Sequence, residues 1–490
     1  MTEVGAPSPK GARRPGAAST PGSRAGLLGL DSTRRLAERG EIDTVVVAMT
    51  DMQGRLQGKR FSAPHFLEEI AHFGTEACSY LLAADVEMST VPGYDLTSWE
   101  RGYGDFALVP DLESLRLAPW DQKSAICLAD VRTLAGAEVE PSPRRVLQRQ
   151  AARLSERGWR ALAATELEFL VFRDTYEEAW ANRYRNLTPA NQYNVDYSVL
   201  GTGRVEPLLG LIREQMTGAG MRVESAKGEC NLGQHEITFG YDDLVAKADE
   251  HVVFKTGAKQ IASGEGCALT FMAKFDEREG NSCHLHVSLR DAEDRPVFAS
   301  TQTERSGAGG DGATGTAAVA LSETFSQFIA GLLATLGDLT LLLAPNVNSY
   351  KRFVASSFAP TTLAWGYDNR TCALRVVGHR PDSLRVECRV PGGDVNPYLA
   401  LAAMVAGGLH GVEHGLDLEP AEAANAYVSG KARLPATLRD AMERFESSQV
   451  ARDAFGDEVV EHYTQMARVE QDAFDCAVTD WERVRGFERL

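Results

Sequence analysis

The sequence lacks the features that mark several large classes of protein. Its 490 residues carry a net charge of −17, which argues against a nonspecific nucleic-acid binder because such proteins need a basic surface. Its eight cysteines form no CxxC pair, which favours reduced thiols in the core. The longest apolar run, residues 328–345, is broken by Asp338 and two glycines. The run therefore predicts a pair of buried helices instead of a membrane span, and we expect no interaction with a membrane.

Common nucleotide-binding and catalytic loops are also missing. The chain has no GxxxxGK[ST] loop and no GxSxG elbow. The "GTG" at 201–203 lacks the third glycine of a dinucleotide fingerprint. Any nucleotide must therefore be held by other groups.

The chain is long enough for two domains. Residues 1–29 have no apolar secretory core and are rich in Pro, Gly, Ser and Ala, which predicts a disordered tail and a cytoplasmic protein. We place a small domain at 30–135 and a large domain at 136–490, with Ser142 capping the first helix of the latter. Residues 301–316 are rich in Gly, Ser and Thr and predict a mobile surface loop.

Several predicted strands carry charged or imidazole side chains at every second position. Alternate side chains of a strand share a face, so each set projects from one surface. The alternative is an ordinary solvated face, as in many antiparallel sheets. However, solvated faces usually mix Thr, Ser, Lys and Gln, and the joint pattern favours a shared site. The sets are Glu166 and Glu168; Glu229 and Glu236; His284, His286 and Ser288; and Arg385, Glu387 and Arg389.

These residue types suit particular chemistry. Oxygen ligands with one or two imidazoles favour Mg²⁺ or Mn²⁺ over zinc, and five close carboxylates would repel one another unless cations offset them. Two ions are the expected number. Arg352, Arg370 and Arg375 add planar forks for carboxylate and phosphate oxygens, although surface solvation is the alternative for each arginine alone. Metal ions beside arginines predict phosphoryl transfer.

The motifs that carry these residues closely resemble those of the glutamine synthetase family, from about residue 40 to the C-terminal helices. Five occur in family order: "TELEF", "GECNLGQHEI", "NSCHLHVS", "NSYKRF" through "NRTCALRV", and "RVECRVPGGDVNPYLAL". The resemblance implies an α+β fold, with a small N-terminal β-grasp domain and a large catalytic domain in which helices surround a curved antiparallel sheet. It also implies ATP, two or more Mg²⁺ (or Mn²⁺) ions and γ-glutamyl phosphate. The implied assembly is a homo-oligomeric double ring, a dodecamer with active sites between subunits.

The resemblance also assigns roles to individual residues. One metal ion is expected at Glu168, Glu229 and Glu236, and the other at Glu166, His284 and Glu387. The expected nucleotide contacts are Glu224, His286, Ser288, Arg375 and Arg385, with Arg370 near the phosphates. Glutamate is expected at Gly280, Arg352 and Arg389. Arg370 and Glu387 are the predicted catalytic residues.

Two departures from the family bear on the amine. Phe358 stands where ammonia-using members carry a glutamate that helps to deprotonate ammonium, and phenylalanine cannot accept a proton. The family's ammonium-binding stretch is unrecognisable, and Asp85, Glu87 or Asp95, beside Tyr94 and Trp99, could instead line a wider amine site.

Similar segments occur in the γ-glutamylamine ligases. The predicted function is therefore ATP-dependent ligation of glutamate to a primary amine, either a polyamine such as putrescine or ethanolamine. The alternatives are an ammonia-dependent glutamine synthetase and a catalytically silent, structural or regulatory family member. Tyr427 is at best a weak counterpart of the family's adenylylated tyrosine.

Overall fold

The computed structural model describes residues 24–300 and 319–490. The predicted loop at 301–316 and most of the predicted tail lie outside them. Residues 24–29 are part of the folded body, since the N–H of Leu28 donates to the carbonyl of Leu115 at 2.9 Å. The tail boundary at residue 29 is therefore placed too late. No helix in the described ranges is long and apolar enough to cross a membrane.

The small unit, residues 24–133, is built around one sheet. The strands run in the order β2-β1-β6-β4-β3, with β5 beside β6. The two central strands, β1 and β6, are parallel, and β1 buries Val45, Val47 and Met49. The strands are β1 (Thr44–Thr50), β2 (Leu56–Ser62), β3 (Thr75–Cys78), β4 (Asp105–Pro110), β5 (Arg116–Leu117) and β6 (Ser124–Thr133). The helices are α1 (Leu30–Glu38), α2 (Ala63–His65) and α3 (Ala71–Phe73), the last two joined by a π-helical turn (Phe66–Ile70).

The large unit, residues 143–490, contains a sheet in the order β13-β14-β15-β12-β7-β9-β8, with β10 and β11 also paired to β7. Its pairs are antiparallel except β13 with β14. The strands are β7 (Trp159–Phe172), β8 (Val223–Gly228), β9 (Gln234–Phe239), β10 (Asp242–Asp243), β11 (Ala268–Thr270), β12 (Cys283–Asp291), β13 (Trp365–Tyr367), β14 (Leu374–Val377) and β15 (Arg385–Cys388).

Helices cover this sheet and form the C-terminal part of the unit. They are α4 (Pro143–Glu156), α5 (Tyr176–Ala181), α6 (Val199–Gly203), α7 (Glu206–Gly218), α8 (Leu244–Gly264), α9 (Glu323–Thr335), α10 (Thr340–Leu343), α11 (Val347–Tyr350), α12 (Pro397–His414), α13 (Leu438–Ser447), α14 (Gln449–Phe455), α15 (Asp457–Cys476) and α16 (Asp480–Gly486). The apolar run at 328–345 forms α9 and α10, as the sequence predicts. Helix α4 begins where predicted, although the Ser142 side chain makes no capping hydrogen bond.

The pleat of β7 separates a dry face from a polar one. Leu167 and Phe169 are buried, and Phe169 contacts Phe254 of α8 with ring centroids 6.4 Å apart. Glu166 and Glu168 point to the opposite face. A shift of one residue would exchange the faces, so burial of the aromatic layer fixes where the carboxylates project.

One asparagine joins the two units. The Asn396 side chain accepts the Tyr398 N–H at 3.1 Å and caps α12. Its amide donates to the carbonyls of Asp51 and Met52, at 3.2 and 3.1 Å. The segment that follows β1 is therefore anchored to the start of α12.

The cysteines are unpaired, and Cys127, Cys283, Cys372 and Cys388 are buried. The prediction of core thiols is wrong for Cys476, which is exposed.

Candidate active site

The strand register brings the predicted polar sets to one face of the large sheet. His284 of β12 lies opposite Glu166 of β7. On the other side of β7, Glu168 lies opposite Glu236 of β9. His286 lies opposite Glu387 of β15. Directly opposed residues of antiparallel strands place their side chains on the same face, so segments far apart in sequence supply one cluster.

Glu168, Glu229 and Glu236 form the first group of possible metal ligands, with one oxygen from each within 4.8 Å of the others. Burial and the charges of Glu166 and Glu168 raise the pKa of Glu236 to about 9. Burial and Glu229 raise the pKa of Glu168 to about 7. A bound divalent cation would remove this repulsion and favour ionised carboxylates.

His284 lies close to Glu166 and Glu387, the other two predicted ligands of the second metal ion. Its Nδ1 is 3.3 Å from Glu166 Oε2 and 3.7 Å from Glu387 Oε1. Burial, together with Arg389, lowers the pKa of His284 to about 4. The imidazole is therefore neutral near pH 7, the form that binds a metal ion.

His286 is also near Glu166, with Nε2 3.0 Å from Oε1. However, the guanidinium Nε of Arg385 donates to His286 Nδ1 at 3.2 Å. Arginine has no acceptor atom, so Nδ1 must accept and the proton of the neutral ring sits on Nε2. This tautomer suits a hydrogen-bond donor better than a metal ligand, in keeping with the predicted nucleotide contact.

The donor set fits two hard divalent ions. Carboxylate oxygens dominate, one neutral imidazole is present, and the carboxyls with raised pKa values converge from separate strands. Oxygen-rich sites of this kind favour Mg²⁺ or Mn²⁺. Glu236 groups both with Glu168 and Glu229 and with Glu166 and His284, so the two sets of possible ligands adjoin each other.

Two arginines hold Glu387, which is 0% exposed. Arg375 Nη1 donates to one carboxylate oxygen at 2.8 Å and Arg389 Nη1 to the other at 2.5 Å. Burial opposes ionisation, but His284, His286 and these arginines outweigh it and lower the pKa of Glu387 to about 2. The carboxylate is therefore charged and fixed in place.

The predicted glutamate contacts differ in accessibility. Arg352 is 2% exposed, and its guanidinium donates to the carbonyl of Pro391 at 2.8 Å and to Ser282 Oγ at 3.2 Å. Its Nε is buried without a hydrogen-bond partner. The Arg352 guanidinium thus binds carbonyl groups of its own chain and is not open to the carboxylate of a bound glutamate. A Cβ at Gly280 would lie 2.9 Å from Arg352 Cγ and 2.2 Å from the carbonyl of Ala273, so only glycine fits there.

Phe358 lies at the edge of the site. It is 58% exposed, has a left-handed φ of 59°, and its carbonyl accepts from Arg389 Nη2 at 3.5 Å. Arg370 is exposed, and its carbonyl accepts from Arg389 Nε at 3.2 Å. Glu224 is exposed and Ser288 is half-buried. These side chains are open to a ligand.

The structure does not bring Asp85 and Glu87 into this cluster. The Asp85 carboxylate accepts the N–H groups of Glu87 and Ser89, at 2.9 and 2.8 Å. Asp85 lines a separate cleft with Tyr94 and Glu470. Within the described ranges neither acid belongs to a metal-ligating group.

Sequence reasoning missed three residues near the cluster. Lys227 contacts the carboxylate of Glu229, and its Nζ lies 3.5 Å from Asp196 Oδ1. Gln234 Nε2 donates to Glu168 Oε2 at 3.1 Å. The spacing of Lys227 two residues before Glu229 was a usable signal. Asp196 lies in an irregular segment, where no sequence pattern pointed to the site.

Comparisons with known proteins agree with this geometry. Residues 140–485 match the family model described as the glutamine synthetase catalytic domain. The chain is 57% identical to the γ-glutamylethanolamide synthetase of Streptomyces coelicolor over 463 residues, which are 94% of this chain and 96% of that protein. It is 36% identical to the glutamate–isopropylamine ligase of a Pseudomonas species, over 92% of this chain and 96% of that protein.

Solved structures agree as well. The ADP complex of GmaS superposes with a TM-score of 0.78 at 27% identity, covering 93% of this chain and 99% of that chain. The predicted family and the predicted α+β fold are confirmed. This chain belongs to the glutamine synthetase family.

Proposed function

We propose that this protein joins the γ-carboxyl group of glutamate to ethanolamine, with ATP converted to ADP and phosphate. The broader class, a glutamate–amine ligase, is the one predicted from the sequence and is confirmed by the relatives. The observation that carries the proposal is the convergence of carboxylates and His284 beside Glu387 and its two arginines, with Phe358 at the edge.

A carboxylate is a poor electrophile, so the reaction proceeds in two steps. A γ-carboxylate oxygen of glutamate attacks the terminal phosphorus of ATP, and ADP leaves with the electron pair of the broken bond. The amine nitrogen then attacks the γ-glutamyl phosphate, phosphate leaves, and the nitrogen loses a proton. Positioning and charge stabilisation provide most of the rate in phosphoryl transfer.

The residues of this chain divide these tasks. Glu168, Glu229 and Glu236 would hold one divalent ion. Glu166, His284 and Glu387 would hold the other, since His284 Nδ1 lies 3.3 Å from Glu166 and 3.7 Å from Glu387. Bound ions would supply positive charge to the phosphate oxygens. Arg370 is exposed and free to reach the transferring phosphoryl group, whereas Arg375 and Arg389 keep Glu387 ionised and oriented. His286 would donate from Nε2 to the nucleotide.

The choice of amine rests on Phe358. An ammonia-using site needs a proton acceptor that holds ammonium, and a phenyl ring supplies none. An apolar edge instead favours the methylene groups of an alkylamine. Ethanolamine is preferred over larger polyamines because the relative with 57% identity is named for that product.

We also propose a homo-oligomer in which a neighbour's small unit completes each site. Within one chain, Asp85 and Glu87 line no part of the carboxylate cluster. A second subunit could bring its own copies of these acids to the amine.

The test is phosphate release with glutamate, ATP, Mg²⁺ and a panel of amines: ethanolamine, isopropylamine, methylamine, putrescine and ammonium. We expect kcat/KM for ethanolamine to exceed that for ammonium by at least about tenfold, a difference of about 1.4 kcal/mol. Turnover with ammonium alone would overturn the proposal. An equal kcat/KM for putrescine would reject ethanolamine as the preferred amine but would leave the glutamate–amine ligase activity standing.

Two variants at one position sharpen this test. Phe358→Glu places a carboxylate at the edge of the site and should raise the use of ammonium relative to ethanolamine. Phe358→Leu keeps the position apolar and should preserve the original preference. If both variants keep the wild-type ratio, Phe358 does not select the amine.

A further inference from the structure

A cavity of about 320 Å³ lies where the small unit meets the large one. Ser114 and Arg116 line it from the small unit, and Arg144, Ala151 and Asp249 line it from helices α4 and α8. None of the candidate active-site residues contributes to its wall. It is therefore a separate space from the carboxylate cluster.

Most of the charges around the cavity are already balanced. Arg144 is 4% exposed and pairs with Asp249 through Nε at 3.0 Å and Nη2 at 2.9 Å. Its Nη1 donates to Asp130 at 2.5 Å. Asp249 also accepts from the hydroxyl of Tyr398 at 2.6 Å. This network is internally satisfied and needs no ligand.

Arg116 is different. It is 4% exposed, its Nε donates to the carbonyl of Ser114 at 3.1 Å, and its Nη1 is buried without a hydrogen-bond partner. Within the ranges that the structure describes, no carboxylate oxygen lies within 4.0 Å of this guanidinium. A buried charge without a counterion is costly, and here it forms part of the wall of a cavity.

The residues outside the described ranges are not rich in acids. They hold three carboxylates, Glu3, Glu304 and Asp311, against four basic residues, Lys10, Arg13, Arg14 and Arg305. The acids that line the cavity outnumber the arginines there by six to four: Asp111, Glu113, Asp242, Asp243, Asp249 and Glu250 against Arg24, Arg116, Arg144 and Arg160. A dianion such as phosphate or a dicarboxylate would be repelled, whereas a single carboxylate would meet the Arg116 fork.

We propose that this cavity binds a small molecule with one carboxylate group, which pairs with Arg116. The volume equals that of about ten water molecules, which limits the ligand to a small organic acid or amino acid. Such a ligand would contact both units at once. The site would add a second ligand to a protein whose proposed reaction occurs elsewhere.

The proposal is tested by thermal unfolding and titration calorimetry of the full chain with propionate, glycine, succinate and phosphate at constant ionic strength. We expect propionate or glycine to bind and raise Tm, and succinate and phosphate to leave Tm unchanged. Arg116→Met, which keeps the volume and removes the charge, should weaken binding by at least tenfold. Arg34→Met, at an exposed arginine of the same unit, should bind like the wild type.

A second variant keeps the test decisive if Arg116→Met fails to fold. Ser155 is exposed on α4 and also lines the cavity, so Ser155→Trp should fill the space and abolish binding while Arg116 is retained. Failure of both monocarboxylates to bind, binding that survives both variants, or equal binding of phosphate would overturn the proposal. These measurements contain no glutamate or ATP, so they do not depend on turnover by the proposed ligase.

Discussion

Glu387 combines three constraints in one side chain. It is fully buried, both of its oxygens accept from arginines, and His284 faces one of them. A buried carboxylate with this many partners is ionised and immobile. It is therefore well suited to hold a metal ion in a fixed position.

Replacing this carboxylate by an amide tests the metal assignment. Glu387→Gln keeps the shape and hydrogen-bonding oxygen but removes the charge, so we expect Mg²⁺ or Mn²⁺ to bind at least about tenfold more weakly at one site and ATP turnover to be lost. Calorimetric titration with Mn²⁺ and phosphate release measure both. Glu293→Gln, at an exposed acid paired with Arg295, is the matched control. Unchanged metal stoichiometry in Glu387→Gln would contradict the assignment.

The sequence predicts which side chains share a face, but not their partners. Period-two spacing was enough to group Glu166 with Glu168 and His284 with His286. The commitment of Arg352 to backbone carbonyls could not be predicted, since it depends on how the segment after β15 folds back. The tautomer of His286 likewise depends on Arg385, which is 99 residues away.

At the scale of elements, some helix positions were predictable and the sheet order was not. Helix α4 begins directly after Ser142, and α9 and α10 occupy the apolar run at 328–345, as their sequences predict. The parallel pairing of β1 with β6 joins strands separated by most of the small unit, and no local pattern specifies such a contact. The approach of Asp85 to Tyr94 and Glu470 is another non-local contact of this kind.

Helix α15 contains a buried histidine at the contact between the two units. His462 is 5% exposed, its Nε2 lies 3.0 Å from the sulfur of Met52, and its ring is 4.7 Å from that of Tyr94. Burial lowers the pKa of His462 to about 3. The folded state therefore keeps this ring neutral at pH values where the unfolded chain protonates it.

This difference sets the sign of a pH effect. Between about pH 6.5 and 3 the unfolded state binds one more proton at His462, so this residue makes stability fall as the pH falls, by up to about 1.4 kcal/mol per pH unit. His462→Gln should reduce that slope, measured as the free energy of unfolding in denaturant at several pH values. His379→Gln, at an exposed histidine, should not. Equal slopes in both variants would show that His462 is not kept neutral.

At the scale of the whole molecule, the C-terminal helix α16 and its flanking residues carry largely exposed apolar side chains. Trp481, Val484 and Phe487 are 67%, 73% and 94% exposed. They follow one another at a spacing of three around α16, and Val478 and Leu490 extend the exposed surface at either end. A contiguous exposed apolar surface usually marks an interaction site. This surface supports the proposed homo-oligomer.

The triple variant Trp481→Ser, Val484→Ser and Phe487→Ser tests whether this surface holds subunits together. We expect it to lower the molar mass in sedimentation or light scattering, because removal of buried apolar area weakens association. Ligase activity should fall with the mass if a neighbour completes each site, while the far-ultraviolet circular dichroism of the chain is kept. Leu134→Ser, at an apolar residue 61% exposed directly after β6, is the control. A triple variant with wild-type mass would show that other surfaces carry the assembly, and full activity in a monomer would show that each chain contains a complete site.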